Sequence, residues 1–262
     1  MGKSKVSGAS EWAVKRVNCC TGCPHGCLYC FAETLALRRR QINKGQWTNQ
    51  RVRQHDVNKE HPKYPGRVMF PSTHDINPTN LVACLNVLKK LLKVGNEVLI
   101  VSKPHLDCIE VICQEFGNYR ESILFRFSIG AFDDSVLSFW EPNAPSYTER
   151  KACIQYAYDF GFQTSVSAEP ILDSAKIDYL IVDLLPFVTD SIWIGKMNHI
   201  DESLKYANSQ TQKALAQIEA EQIDAIVESI YDRHKNNPMI KWKESIKKVV
   251  GLPLAPKPGM DN

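Results

Sequence analysis

The chain has 262 residues, 44% of them hydrophobic and 23% charged, and a formal net charge of +3. That size and balance suit one globular domain of barrel or doubly wound type, or one domain with a small appendage. No apolar run approaches the ~20 residues of a membrane span. The polar start, Met1 to Ser10, has no apolar segment of the signal-peptide kind, so a cytoplasmic protein without a membrane partner is expected.

Val14 to Cys20 reads as a short strand running into a cysteine-rich loop, and Phe31 to Arg40 as a helix. The segment from Gln41 to Gly66 is polar and basic, has no clear period, and is longer than most loops of compact domains, which suggests a lid or a mobile segment. Val68 to Phe70 is a strand. Asn80 follows Pro78 as a plausible N-cap for a helix with Leu81, Leu85, Leu88 and Leu92 on one face, ended by Gly95. The apolar run Val98 to Val101 reads as a buried parallel strand. Leu106 to Phe116 is a helix, Ile123 to Ile129 a strand, Ser146 to Phe160 a helix and Phe162 to Ala168 a strand. Ile177 to Phe187 is a helix and Ser191 to Ile194 the sixth strand. Asp201 to Arg233 reads as one long helix or a broken pair, followed by Trp242 and a proline-rich tail.

Six β-then-α units argue a parallel sheet with helical crossovers. They are too few for a closed eight-fold barrel, so the expected fold is α/β, a partial (β/α)6 barrel. The expected division is an N-terminal tail (1–12), a core (13–200) and a helical C-terminal extension (201–262). Ligands of such sheets sit at the carboxyl ends of the strands, the edge where the cysteine loop begins.

Five of the nine cysteines, Cys19, Cys20, Cys23, Cys27 and Cys30, fall within twelve residues. In a reducing compartment such clustering points to metal binding rather than to disulfides. Cys84, Cys108, Cys113 and Cys153 stand singly in helical patterns and read as buried small hydrophobes. The spacing of Cys23, Cys27 and Cys30 gives one loop three thiolates. Cluster irons usually take four such ligands, which leaves one iron open for a substrate or cofactor. Gly22 and Gly26 let the backbone curl closely around a cluster. Counting Cys20 as well gives two C-x-x-C pairs, which also suit a zinc ion or a closed electron-transfer cluster. Without Cys20 in the set, Cys19 and Cys20 are strand residues. His25 reads as a solvated loop histidine.

The run Cys23-Pro24-His25-Gly26-Cys27-Leu28-Tyr29-Cys30, with an aromatic residue just before the last cysteine, resembles the radical SAM superfamily. The resemblance implies a [4Fe–4S] cluster on Cys23, Cys27 and Cys30, with S-adenosylmethionine on the open iron. It also implies reductive cleavage to a 5′-deoxyadenosyl radical that takes hydrogen from a substrate, and a partial or full barrel fold. A flavodoxin or ferredoxin is the implied reductant. Further segments match the spore photoproduct lyase-like branch: Ser72-Thr73-His74-Asp75 with Pro78, Ser102-Lys103, Ser128, Glu141-Pro142-Asn143-Ala144-Pro145-Ser146 with Arg150, and Glu169-Pro170. The resemblance covers about residues 12 to 200. It implies that Ser72, Thr73, Asp75, Lys103 and Ser128 lie around the cofactor. A lysine ammonium suits the cofactor carboxylate, and Tyr29 and Phe31 suit the adenine face. Glu141 and Arg150 read as a structural ion pair. Spore photoproduct lyase itself has a cysteine near the end of its second strand, where this chain has Ser72-Thr73-His74-Asp75, so repair of the spore photoproduct is not implied.

Between Arg38 and Arg67 basic residues dominate, with Trp47 and Tyr64 among them and only Asp56 and Glu60 as acids. Such a segment suits a nucleic-acid backbone and stacked bases, so a nucleic acid or nucleotide is the favoured substrate class, ahead of a small metabolite or a peptide. The different-class alternative is an iron–sulfur electron carrier or zinc module with no reaction of its own.

Overall fold

The computed structural model describes residues 6–204 and 207–261. The first half of the chain forms β1 (Lys15–Arg16), β2 (Cys20–Thr21), α1 (Phe31–Arg38), β3 (Arg51–Val52), α2 (Gln54–Asn58), β4 (Val68–Met69), α3 (Leu81–Lys93), β5 (Val98–Ser102), α4 (Leu106–Glu115) and β6 (Ile123–Ser128). The second half adds α5 (Asp134–Trp140), α6 (Tyr147–Asp159), β7 (Gln163–Ala168), α7 (Ile177–Leu184), β8 (Ile192–Ile194), α8 (Ile200–Leu204), α9 (Ser209–Glu221), α10 (Asp224–His234), β9 (Ile240–Trp242) and α11 (Glu244–Lys247).

Seven strands make one wholly parallel sheet in the order β1-β4-β5-β6-β7-β8-β9. The alternation of side chains along each strand sorts them between two cores. Val98 and Ile100 of β5 pack outward under the helices, with Leu88, Leu91, Ile109 and Ile112. Leu99 and Val101 point the other way, into a smaller core with Met69, Leu124, Trp193 and Trp12. Both faces of β5 are thus covered, which is why its sequence is a continuous apolar run rather than an alternating one.

The inner core is filled from outside the sheet. Trp12 meets Trp193 edge to face, at a centroid distance of 5.6 Å. The buried guanidinium of Arg126 lies 4.6 Å from the Trp12 ring and 5.2 Å from the Trp193 ring, and it pairs with Asp190 at 3.0 Å. Stacking on aromatic faces suits a weakly hydrated guanidinium in such a place.

The sheet is not closed, and its open seam is bridged by the segments flanking its two edge strands. Lys243, just after β9, reaches Glu11 at 2.7 Å and the Gly8 carbonyl at 3.0 Å, and its ammonium lies 3.8 Å from the Trp12 ring centroid. The Glu244 amide donates to Glu11, and the amides of Gly259 and Asp261 donate to the carbonyls of Ser10 and Glu11. Gly195 makes room for this lysine, because a Cβ there would stand 2.8 Å from Lys243 Cγ.

The six expected strands are all present, and the partial-barrel class is the observed one. The expected first strand divides in two. Lys15–Arg16 joins the main sheet, while Cys20–Thr21 pairs antiparallel with Arg51–Val52. The basic segment is therefore not structureless: it carries β3 and α2. Three further elements lie where no element is expected, the short helices α5 and α11 and the strand β9. The boundary expected at residue 200 falls between β8 and β9 of one sheet. The stretch 201–233, expected as one long helix or a broken pair, carries three helices, α8, α9 and α10; its residues 205 and 206 lie outside the described residues, as do 1–5 of the expected N-terminal tail and residue 262. No helix among the described residues is long and apolar enough to cross a membrane.

Candidate cluster and cofactor site

The cysteine loop leaves β2 through Gly22, whose φ is +86° and where a Cβ would fall 2.4 Å from the Trp47 carbonyl oxygen. Glycine is the residue that fits. The next amide, of Cys23, donates to that carbonyl at 3.0 Å. The loop then packs on α1, with Cys23, Ala36 and Trp47 in one small apolar cluster that Cys30, Ala32 and Ile42 border. Cys30 caps α1, and the Glu33 amide points at its sulfur at 3.4 Å. Cys23 and Cys27 are buried and Cys30 is half-buried.

Across from the loop, the carboxyl ends of successive strands supply charged groups. Asp75 follows β4. Its carboxylate accepts from the Lys103 amide at 2.8 Å, from Ser102 Oγ at 3.1 Å and from His25 Nδ1 at 2.9 Å, and Cys23 Sγ lies 3.7 Å away. Lys103 follows β5. Its ammonium lies 4.0 Å from Asp75 and 3.9 Å from Glu141, and 5.6 Å from the Tyr29 ring centroid. The Tyr29 hydroxyl donates to Glu141. Glu141 also pairs with Arg150 at 2.5 Å, and Arg150 donates to the carbonyls of Pro145 and Ser128 at 2.8 and 3.0 Å. Cys23, Asp75, Lys103, Tyr29, Glu141 and Arg150 thus form one connected network. The ion pair expected between Glu141 and Arg150 is present and fully buried.

The electrostatics follow from burial and from Lys103. Burial raises the thiols of Cys23, to about 12, and of Cys30, to about 11, and it raises Cys27 well above the ordinary range. Lys103 opposes the rise at all three, so a single ammonium favours each thiolate. Burial would also raise the Asp75 carboxyl, but Lys103 and His25 outweigh it and hold the group ionised, well below the usual carboxylate range. Lys103 is itself held charged: burial opposes its ammonium, and Cys27, Tyr29, Asp75 and Glu141 around it prevail.

The remaining expected residues lie farther from this network or face other partners. Ser72 and Thr73 form a turn pinned by Asn18, whose side-chain oxygen accepts both their amides, at 2.7 and 2.9 Å. Ser128 ends β6 and contributes its carbonyl to Arg150. Phe31 is exposed and stacks on His199 with a centroid distance of 4.3 Å. His25, expected in solvent, is buried: beyond its bond to Asp75, its Nε2 meets Nε2 of His105 at 2.9 Å. Asn18, His25 and His105 carry roles the sequence reading missed. Asn18 and His105 stand in no motif, and His25 sits in one whose signal comes from its cysteines. Trp47 is buried beneath the loop rather than free to stack a base, and Tyr64 is half-buried with Lys15 over its ring at 5.5 Å. Of the basic residues, Arg38 pairs with Glu202, while Arg53 binds Asp56 and the carbonyls of Asn18 and Cys20.

The donor set suits a cluster. Three thiols share one loop, and their ionisation is opposed by burial and favoured by a nearby ammonium. A cationic centre would complete it. The sulfur of Cys20 is grouped with Cys19 and His74, and that of Cys23 with His25 and Asp75. One cavity borders the loop and a second lies beside α5. One of about 170 Å³ is lined by Cys27, Cys30, Glu33, Lys44 and Thr211, and one of about 410 Å³ by Ser135, Phe139, Trp140, Lys176 and Gln217.

Comparison with protein-family models and with curated proteins finds no match. Among solved structures, the chain is similar to a spore photoproduct lyase variant with bound S-adenosylmethionine and dinucleoside spore photoproduct, at TM-score 0.54 and 15% identity over 88% of this chain and 76% of that one. A second spore photoproduct lyase variant matches at TM-score 0.58 and 15% identity, over 91% and 78%. Streptococcus suis SuiB bound to S-adenosylmethionine matches at TM-score 0.53 and 11% identity, over 91% of this chain and 52% of that one. The open parallel sheet described above is therefore the fold this chain shares with these solved structures.

Proposed function

We propose that the chain is a radical SAM enzyme, with Cys23, Cys27 and Cys30 as the ligands of a [4Fe–4S] cluster. The observation that carries the reading is the three-cysteine loop at the carboxyl edge of a parallel sheet of this fold, with Cys23 Sγ 3.7 Å from Asp75 and the Lys103 ammonium 4.0 Å from the same carboxylate. When bound, the cluster and S-adenosylmethionine supply reductive cleavage of a sulfur–carbon bond and a 5′-deoxyadenosyl radical for hydrogen abstraction. The chain's own residues bind and orient. The Lys103 ammonium and the Tyr29 ring give the site a positive, half-apolar wall, suited to an amino-acid carboxylate and an adenine respectively. Asp75, held ionised, keeps Lys103 in place and accepts from His25. Burial shields Cys23 and Cys27 from water, while Cys30 is half-buried beside the smaller cavity. Ser72, Thr73, Ser128 and Phe31 are assigned to the rim of the same cofactor site. A flavodoxin or ferredoxin is the proposed electron source.

For the substrate, a nucleic acid or nucleotide remains the favoured class. Arg39, Arg40 and Lys44 are exposed at the end of α1, and Lys44 lines the smaller cavity beside Cys27 and Cys30. Binding of oligonucleotides is expected to weaken steeply with salt. Salt-insensitive binding, or none, removes this class.

The test of the enzyme reading is anaerobic. The protein is reconstituted with iron and sulfide, reduced, and given S-adenosylmethionine, and 5′-deoxyadenosine is assayed. The intact protein is expected to form the nucleoside and Cys27→Ala to form none. No nucleoside from an intact, reduced cluster, even with nucleotide present, overturns the reading in favour of an electron carrier.

A further inference from the structure

Just before the cluster loop, a second group of metal-type side chains is closed off from solvent. Cys19, Cys20 and Cys84 are 0–1% exposed and His74 is 5% exposed. The ligand atoms of Cys19, Cys20 and His74 all lie within 4.8 Å of one another. From Cys19 Sγ the distances are 3.9 Å to Cys20 Sγ, 3.8 Å to Cys84 Sγ and 3.9 Å to His74 Nε2. A tetrahedron with zinc–sulfur bonds of about 2.3 Å has sulfur–sulfur edges of about 3.8 Å. The three edges that meet at Cys19 are close to those of a tetrahedral site, while Cys84 Sγ stands beyond 4.8 Å of Cys20 Sγ or His74 Nε2 and would have to be drawn in by the metal.

The surroundings suit such a site. His74 Nδ1 lies 3.2 Å from the Asp75 carbonyl, so it can donate there; its Nε2 accepts from the Cys19 amide at 3.2 Å and lies 3.9 Å from Cys19 Sγ, so a metal would take the place of that amide bond. A ligating histidine is ordinarily oriented by this kind of bond. Three thiolates and a neutral imidazole around a divalent ion leave one negative charge. Arg53, which also pairs with Asp56, lies beside it, bonded to the carbonyls of Cys20 and Asn18 at 2.5 and 2.9 Å.

We infer that Cys19, Cys20, His74 and Cys84 form a structural zinc site, separate from the cluster loop. It ties the stem of that loop to the turn after β4 and to α3. Because His74 adjoins Asp75 and Cys20 lies three residues before Cys23, the zinc fixes both walls of the cluster site. Buried so fully, the ion enters as the chain folds.

The inference does not depend on the cluster, and its test removes the cluster. The full chain carrying Cys23→Ser, Cys27→Ser and Cys30→Ser is produced in zinc-supplemented medium, purified without chelator, and its metal measured by mass spectrometry beside that of the wild type. About one zinc per chain is expected in the triple variant, together with a tetrahedral cobalt–thiolate absorption after cobalt exchange. Adding Cys84→Ser or His74→Ala is expected to abolish stoichiometric zinc, while adding Cys153→Ser, a buried cysteine elsewhere, leaves it. Absence of stoichiometric zinc from both the triple variant and the wild type overturns the site. So does zinc that survives both Cys84→Ser and His74→Ala. The metal content of the triple variant decides the matter even where a ligand variant fails to fold.

Discussion

At the scale of single residues, the cofactor site is built on charges that hold one another. Arg150 is fully buried, and its guanidinium joins Glu141, the Pro145 carbonyl and the Ser128 carbonyl. A buried pair is weak evidence for stability as a whole, but removing one partner strands the other charge. Arg150→Ala is therefore expected to destabilise the protein by about 3–5 kcal/mol, measured by denaturant unfolding. Glu141→Gln with Arg150→Met is expected to recover part of that loss. A loss below about 1 kcal/mol for Arg150→Ala would show that Glu141 is satisfied through Tyr29 and Lys103 alone. Whether a residue such as Arg150 or Asp75 belongs to the site was legible in the sequence only through the motif resemblance. His25 and Asn18 were not legible, since a loop histidine and a strand-end asparagine look the same in sequence whether they meet solvent or a carboxylate.

Between elements, the join of the N-terminal segment to β9 carries a pH dependence. Burial raises the Glu11 carboxyl, to about 7, against the pull of Lys243, with Asp261 and Glu169 adding to the rise. The folded state thus keeps a proton that the unfolded chain releases near the ordinary value of about 4.3. Between those values stability falls as pH rises. This contribution is complete below about pH 4 and lost above pH 7. Unfolding midpoints measured from pH 4.5 to 8 are expected to show this decline, and Glu11→Gln to flatten it. An unchanged slope in that variant would assign the dependence to another group. Elements with a strong local pattern, such as α3, α4 and β5, lie where the apolar spacing puts them. Those that escaped are short: β9 and α5 have too few residues to display a period, and β2 and β3 exist as strands only by pairing with each other.

For the molecule as a whole, the seam between β1 and β9 decides what counts as one unit. β8 pairs with β9 over Ile192 to Ile194, and Lys243 beyond it reaches across to Glu11, Glu169 and the Trp12 ring. A chain ended after Arg233 would expose the edge of β8 and leave Trp12 without the lysine over its face. Unpaired edges of buried strands promote aggregation. That truncated chain is expected to be insoluble or to lack a cooperative thermal transition, read by circular dichroism and sedimentation. A soluble product with a single sharp transition would show that residues 234–262 are an accessory and not part of the fold.

By itself the sequence determined the α/β alternation, the partial barrel and the three-cysteine loop, because each is written in local spacing: apolar runs, helical periods and short cysteine intervals. Only the tertiary structure decided which distant groups meet. It set Lys103 between Asp75 and Glu141, drew Cys84 and His74 to Cys19, buried Trp47, and plugged the inner face of the sheet with Trp12. These are contacts between residues tens or hundreds of positions apart. Their partners are chosen by chain topology and by the need to pair every buried charge, and neither leaves a mark in local pattern.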